Sequence, residues 1–174
     1  MKILAMSDTH LMCPFPSDLL DMAKKADIVV HAGDMNTLDA YNSLKAACKR
    51  LVVVSGNSDS PALNDLLPKT EVFEAGGTRF GVVHSGRHMS DLTNMRYLAL
   101  ELGVDVLIFG HLHRPIIDQT DVLLVCPGSP TYPRMSDPCV VEITVEDGRI
   151  LGRVEKVTTG DVCGYLTFAR SIDG

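Results

Sequence analysis

Short apolar runs in this chain stop, one after another, at residues able to bind a metal. Residues 2–6 end at Asp8-Thr9-His10, 27–31 at Gly33-Asp34, and 51–54 at Gly56-Asn57. Two later runs, 78–83 and 105–109, end at His84 and at Gly110-His111-Leu112-His113. Between the first three runs lie segments of helical period. Leu19, Met22, Ala23 and Ala26 follow Ser17, which suits a helix cap, and Leu38, Tyr41 and Leu44 share one face of 37–48. The order β-α-β-α-β is the signature of parallel strands joined by crossover helices. Ligands of such sheets bind beyond the carboxyl ends of the strands, where these polar residues fall.

The second half changes pattern. Runs 71–75 and 78–83 flank Gly76-Gly77, which suits a two-residue hairpin turn. A helix is expected from Ser90, its cap, to Leu102, with Leu92, Met95, Ala99 and Leu102 inward and Gly103 ending it. Four strand-like runs follow, at 115–119, 122–126, 139–145 and 150–157, with Glu146-Asp147-Gly148-Arg149 as a hairpin turn. Together the halves suggest an α/β fold, a four-layer αββα sandwich of two mixed sheets flanked by helices. A chain of 174 residues is most simply one domain, here 1–160. Residues 161–174 show no clear period and remain an unplaced tail in which Leu166 and Phe168 could pack down.

A net charge of −6 argues against a general nucleic-acid binder, and only 5% aromatic residues leave no stacking platform for single strands. Metal ions could still reverse the sign of a cleft for an anionic substrate. The five cysteines are scattered without a CxxC pair, which points to reduced thiols and a cytoplasmic setting. No segment approaches the roughly 18 apolar residues of a membrane span, so no membrane partner is expected.

The candidates Asp8, His10, Asp34, Asn57, His84, His111 and His113 mix carboxylate, amide and imidazole without thiolate. Such a set suits manganese first, with nickel, iron, zinc or cobalt as alternatives, over calcium or magnesium alone. Seven ligands are too many for one ion with an open position and suit two divalent ions. Two ions roughly 3.5–4 Å apart, bridged by a carboxylate, would let a bridging hydroxide attack phosphorus. Taken singly, Gly33-Asp34 and Gly56-Asn57 are ordinary turns; the ordered set carries the reading.

That ordered set, Asp-x-His, Gly-Asp, Gly-Asn, a lone His and Gly-His-x-His, resembles the signature of the calcineurin-like metallophosphoesterases. With Gly56-Asn57-Ser58-Asp59 and Pro127-Gly128-Ser129, the chain looks most similar to the small YfcE-type phosphodiesterase branch, to which the retromer subunit Vps29 is related. The resemblance covers residues 1–157. It implies the αββα sandwich, with Asp8, His10 and His113 on one metal, Asn57, His84 and His111 on the other, and Asp34 between them. Asp34, Asn57 and His111 then carry the catalytic roles in hydrolysis of a small phosphodiester, and a homo-oligomer is compatible with it.

Two departures matter. Many relatives place His, as general acid, where this chain has Ser58, and a hydroxyl is a poor donor. His84 is followed by Ser85-Gly86-Arg87-His88 rather than Gly and a second His or Asp. Ser58, Arg87 and His88 are the candidate substrate contacts, Arg87 for bidentate phosphate recognition. His31 reads as buried behind the site, Asp59 as a loop-fixing carboxylate, Pro127-Gly128-Ser129 as a tight turn near it, and Arg134 as a surface residue. Two rivals stand beside the diesterase: a binding scaffold of the same fold with weak or no catalysis, and a phosphomonoesterase or nucleotide phosphatase.

Overall fold

The computed structural model describes residues 1–85 and 92–157, and the backbone of 162–171. The first strand, β1 (Lys2–Met6), shows how the layers arise. Its side chains alternate between two faces, and both faces are covered. Ile3 and Ala5 enter a buried cluster between two sheets, while Leu4 and Met6 enter another under the helices. A continuous apolar run is therefore what a doubly covered strand needs.

Helix α1 (Ser17–Lys25) joins β1 to β2 (Ile28–His31), and α2 (Leu38–Ala47) joins β2 to β3 (Leu51–Val53). These strands pair in parallel. Thr37 caps α2 by accepting the Ala40 N–H, whereas Ser17 is already helical and the N-cap of α1 is Pro16, which has no side-chain cap. A short helix, α3 (Pro61–Leu66), follows; Ser60 caps it and Pro61 occupies its first turn. On the expected face of α2, Tyr41 and Leu44 are buried but Leu38 is exposed.

The hairpin β4 (Thr70–Ala75) and β5 (Thr78–Val83) turns through Gly76 and Gly77, both at positive φ as a primed turn requires. Helix α4 (Leu92–Leu102) leads to β6 (Val106–Phe109); the expected cap Ser90 lies outside the described residues. Strands β7 (Pro115–Gln119) and β8 (Leu123–Pro127) complete a five-stranded sheet in the order β4-β5-β6-β8-β7. The central three strands run parallel and the edges antiparallel.

The chain then returns to the first sheet. β9 (Cys139–Glu146) lies antiparallel to β1, β10 (Arg149–Val157) pairs with β9, and β11 (Val162–Ser171) pairs with β10. The first sheet thus has the order β11-β10-β9-β1-β2-β3, and residues 162–171, within the tail left unplaced by the sequence, form its edge strand. Phe73 and Phe80 stack at 5.1 Å in the cluster between the sheets. α1, α2 and α3 cover the outside of the first sheet, and α4 covers the second. No helix of the described residues is long and apolar enough to cross a membrane.

Candidate metal centre

The site is built where β1, β2, β3, β5, β6 and β8 end. Five of its residues, Asp8, His10, Asp34, His111 and His113, have φ between 46° and 75°. Left-handed backbone is unfavourable for a side-chain-bearing residue, although Asp, Asn and His tolerate it best. So many such residues in a few short loops mark a place where geometry outweighs local comfort. His111 and His113, just past the end of β6, are thus both left-handed rather than a continuation of the extended strand.

Their imidazoles consequently serve different neighbours. His113 Nε2 lies 3.4 Å from Asp8 Oδ1 and 3.3 Å from His10 Nε2, and the His10 and His113 rings stack. His111 Nδ1 instead lies 2.9 Å from Asn57 Oδ1, which is also 2.9 Å from His84 Nε2. Asp34 stands between the groups: its Oδ2 is 3.7 Å from His10 Nε2 and 3.3 Å from His84 Nε2. One donor atom from each of Asp8, His10, Asp34 and His113 falls within 4.8 Å of the others, a cluster able to hold a metal ion.

The imidazoles are oriented from behind. His84 Nδ1 bonds the Ala32 carbonyl at 2.8 Å, and His113 Nδ1 bonds the Tyr132 carbonyl at 2.7 Å. A carbonyl can only accept, so both Nδ1 atoms donate, and in the neutral rings the Nε2 lone pair faces the centre. The Nε2 atoms of His10 and His113, 3.3 Å apart beside the buried carboxylates of Asp8 and Asp34, form a donor set whose natural partner is a cation.

Electrostatics within the cluster are uneven. Burial alone would raise the Asp34 carboxyl, but contacts with His84 and the Ser58 N–H outweigh it and hold Asp34 well below the usual carboxylate range. Burial opposes charge on His84 too, yet Asp34 and Asp8 raise its pKa. Asp8 is pushed up, first by burial and partly by Asp34, against the Ser7 hydroxyl that bonds its carboxylate. Burial, followed by His84, lowers His111. Behind the loops, burial pushes His31 down to about 4, although Asp59 and Asp34 raise it. Its Nε2 lies 3.0 Å from the Thr9 hydroxyl.

Asp59 bonds the Asn36 N–H with one oxygen and the Gly56 N–H with the other, each at 2.7 Å, and so fastens the Asp34 loop to the Asn57 loop. Glycines are required where these loops touch. A Cβ at Gly110 would lie 2.5 Å from the Ala32 carbonyl, and one at Gly33 would lie 2.6 Å from His84 Nδ1. Ser58, exposed beside Asn57, holds Asp34 Oδ1 with its N–H at 2.7 Å and accepts from Asn57 Nδ2. Arg87 and His88 lie outside the described residues.

Sequence reasoning missed two groups. The loop after β8 braces the histidine end: Ser129 Oγ donates to the Asp8 carbonyl at 2.7 Å, and Thr131 Oγ1 donates to the Thr9 carbonyl at 2.6 Å. Only the turn Pro127-Gly128-Ser129 hinted at it. On the other side, Lys69 joins Ser55, Gly56, Asn57, His84 and Ser85 around a cavity of about 140 Å³. Lys69 lies just before β4 in no recognisable motif, so its spacing carried no signal.

Comparison with known proteins places the chain in a family. Residues 1–148 match the model of the calcineurin-like phosphoesterase superfamily domain. A probable metallophosphoesterase of Methanothermobacter thermautotrophicus is 34% identical, over 98% of this chain and its own whole length. A phosphodiesterase of Methanocaldococcus jannaschii is 27% identical over 74% of this chain and 83% of its own. In structure, Vacuolar Protein Sorting 29 of Cryptosporidium parvum superposes with a TM-score of 0.85 at 19% identity, over 98% of each chain. That likeness speaks for the fold.

Proposed function

The chain belongs to the calcineurin-like phosphoesterase superfamily, and on that premise we propose that it hydrolyses a small phosphodiester with two divalent metal ions, manganese first among them. Asp8, His10 and His113 would hold one ion, Asn57, His84 and His111 the other, and Asp34, standing between the two groups, would serve both. The observation that carries this reading is the position of Asp34 Oδ2, within 3.7 Å of His10 Nε2 and 3.3 Å of His84 Nε2. Every donor is oxygen or imidazole nitrogen, which fits a first-row transition ion of borderline softness.

When bound, such ions polarise phosphate oxygens and bring the pKa of a coordinated water towards about 7. The protein's own share is orientation and charge. Asp34 stays ionised across the physiological range, and the Ala32 and Tyr132 carbonyls fix His84 and His113 with Nε2 inward. Ser58 uses its N–H on Asp34, and its hydroxyl is a weak acid. That favours esters whose leaving group departs without a proton, and the phosphodiesterase relative supports a diester. Arg87 and His88 remain candidate phosphate contacts, and Lys69 joins them.

The test is hydrolysis of bis(4-nitrophenyl) phosphate and 4-nitrophenyl phosphate after stripping metal and restoring manganese, nickel, zinc or magnesium. Diester turnover restored by a transition ion, and lost in folded Asp34→Asn and His111→Ala, is the expected result. No turnover with any metal, despite two bound equivalents, would replace the enzyme with a metal-binding scaffold. A preference for the monoester would make it a phosphatase.

A further inference from the structure

Tyr132 presents two functions at once. Its main chain is fixed: the N–H donates to Ser129 Oγ at 2.7 Å, and the carbonyl accepts from His113 Nδ1 at 2.7 Å. Thr131 is tied to the Thr9 carbonyl, the next N–H but one, of Arg134, donates to the His113 carbonyl, and Pro130 and Pro133 stiffen the loop. All these bonds use backbone or other side chains and would survive any residue but proline at 132. The ring is not needed for them.

Tyr132 is 58% exposed as a residue, yet its ring centroid lies 5.4 Å from that of His10 and 5.9 Å from that of His113. It therefore leans on the imidazoles of two metal-cluster residues and leaves the rest of its surface to solvent. An aromatic face held open beside a cluster of polar donors is the make-up of a ligand site, one side flat and apolar and the other able to fix a charged group.

We propose that the Tyr132 ring is a stacking face for a nucleobase on a phosphate ester bound at the metal cluster, which makes Tyr132 a specificity-determining residue. The inference rests on the phosphoesterase reading above. A nucleotide carries both halves that the geometry asks for, a phosphate for the cluster and a flat aromatic group beside it. A single platform and a net charge of −6 fit a mononucleotide or dinucleotide unit rather than a long strand.

The test is titration calorimetry of the manganese-loaded full chain with adenosine 5′-monophosphate and ribose 5-phosphate, which share the sugar phosphate and differ at C1, adenine in one and a hydroxyl in the other. The wild type should bind the nucleotide roughly tenfold more tightly, in line with base–aromatic stacking. Tyr132→Ala and Tyr132→Leu should bring that ratio near one, and Tyr132→Phe should keep it. A ratio unchanged in Tyr132→Leu, or no base preference in the wild type, overturns the proposal. Manganese stoichiometry on each variant separates loss of stacking from loss of the His113 anchor. Because the ratio is a binding measurement, it stands apart from the diester assay: base preference without turnover sinks the diesterase alone, and turnover without base preference sinks the stacking face alone.

Discussion

Gly56 lies directly against the Asp34 carboxylate, so closely that a Cβ at position 56 would overlap both its side chain and the Asp34 N–H. The glycine here is a steric requirement of the carboxylate that the two donor groups share. Gly56→Ala should therefore displace Asp34 and loosen both groups while the sheets, built elsewhere, persist. We expect manganese affinity to fall at least about tenfold, with an unchanged far-ultraviolet spectrum. Calorimetry showing wild-type affinity in the variant would mean that Asp34 is dispensable for binding or free to move.

Asp59 offers a second way to loosen the same joint without touching a proposed ligand. Its two oxygens each accept an N–H, from Asn36 and from Gly56. Asn at this place has one acceptor oxygen, so one of the two N–H groups would face an NH₂. Asp59→Asn should cost about 1–3 kcal/mol in urea unfolding, the usual penalty for a buried group left unpaired. Metal affinity should drop with it. Stability equal to wild type would show that the loops are held together by other means.

The parts that were legible in the sequence are those where local pattern and tertiary place coincide. Strands β1, β2 and β3 are apolar because both faces are covered, and each is punctuated by a residue that turns the chain at the sheet's edge. What stayed hidden depends on partners far along the chain. Nothing in 139–157 says that these strands cross back to lie beside β1, because alternation specifies a face and leaves the neighbour open. Ser129 bonds Asp8 across 121 residues and Tyr132 bonds His113 from an irregular loop, so neither has a period to betray it. Helix α3 is six residues long, too short for a helical repeat to register. His111 and His113 were singled out by spacing, but their split between two neighbours follows from left-handed backbone that spacing cannot reveal.

His31 is fully buried behind Thr9, and burial pushes it down to about 4 from an ordinary value of 6.5. The folded state thus releases its proton more readily than the unfolded chain. The contribution to stability is complete above pH 6.5, is lost as pH falls from 6.5 towards 4, and is constant below that. At its largest the loss is about 3 kcal/mol. Unfolding midpoints of the metal-free protein should fall more steeply over this window in wild type than in His31→Gln, whose side chain does not titrate. Parallel pH profiles for the two proteins would show that His31 accepts a proton without strain.

Asp8 and Asp34 are buried together; the His111 N–H donates to the Asp8 carboxylate, whose Oδ1 also lies 3.4 Å from His113 Nε2, and Asp34 Oδ2 faces His84. A cation that binds only this folded arrangement should raise stability by mass action, about 2.7 kcal/mol at a hundredfold excess over Kd. For a chain of this size that is a rise in Tm of roughly 5–10 °C. The donors must be unprotonated to bind, and Asp34 and Asp8 raise the pKa of His84. The rise should therefore shrink as pH falls through the histidine range. Thermal melts with and without manganese, at pH 7.5 and pH 5.5, test both statements. Asp34→Asn should lose most of the rise at pH 7.5; an equal rise in that variant would place the bound ion away from these residues.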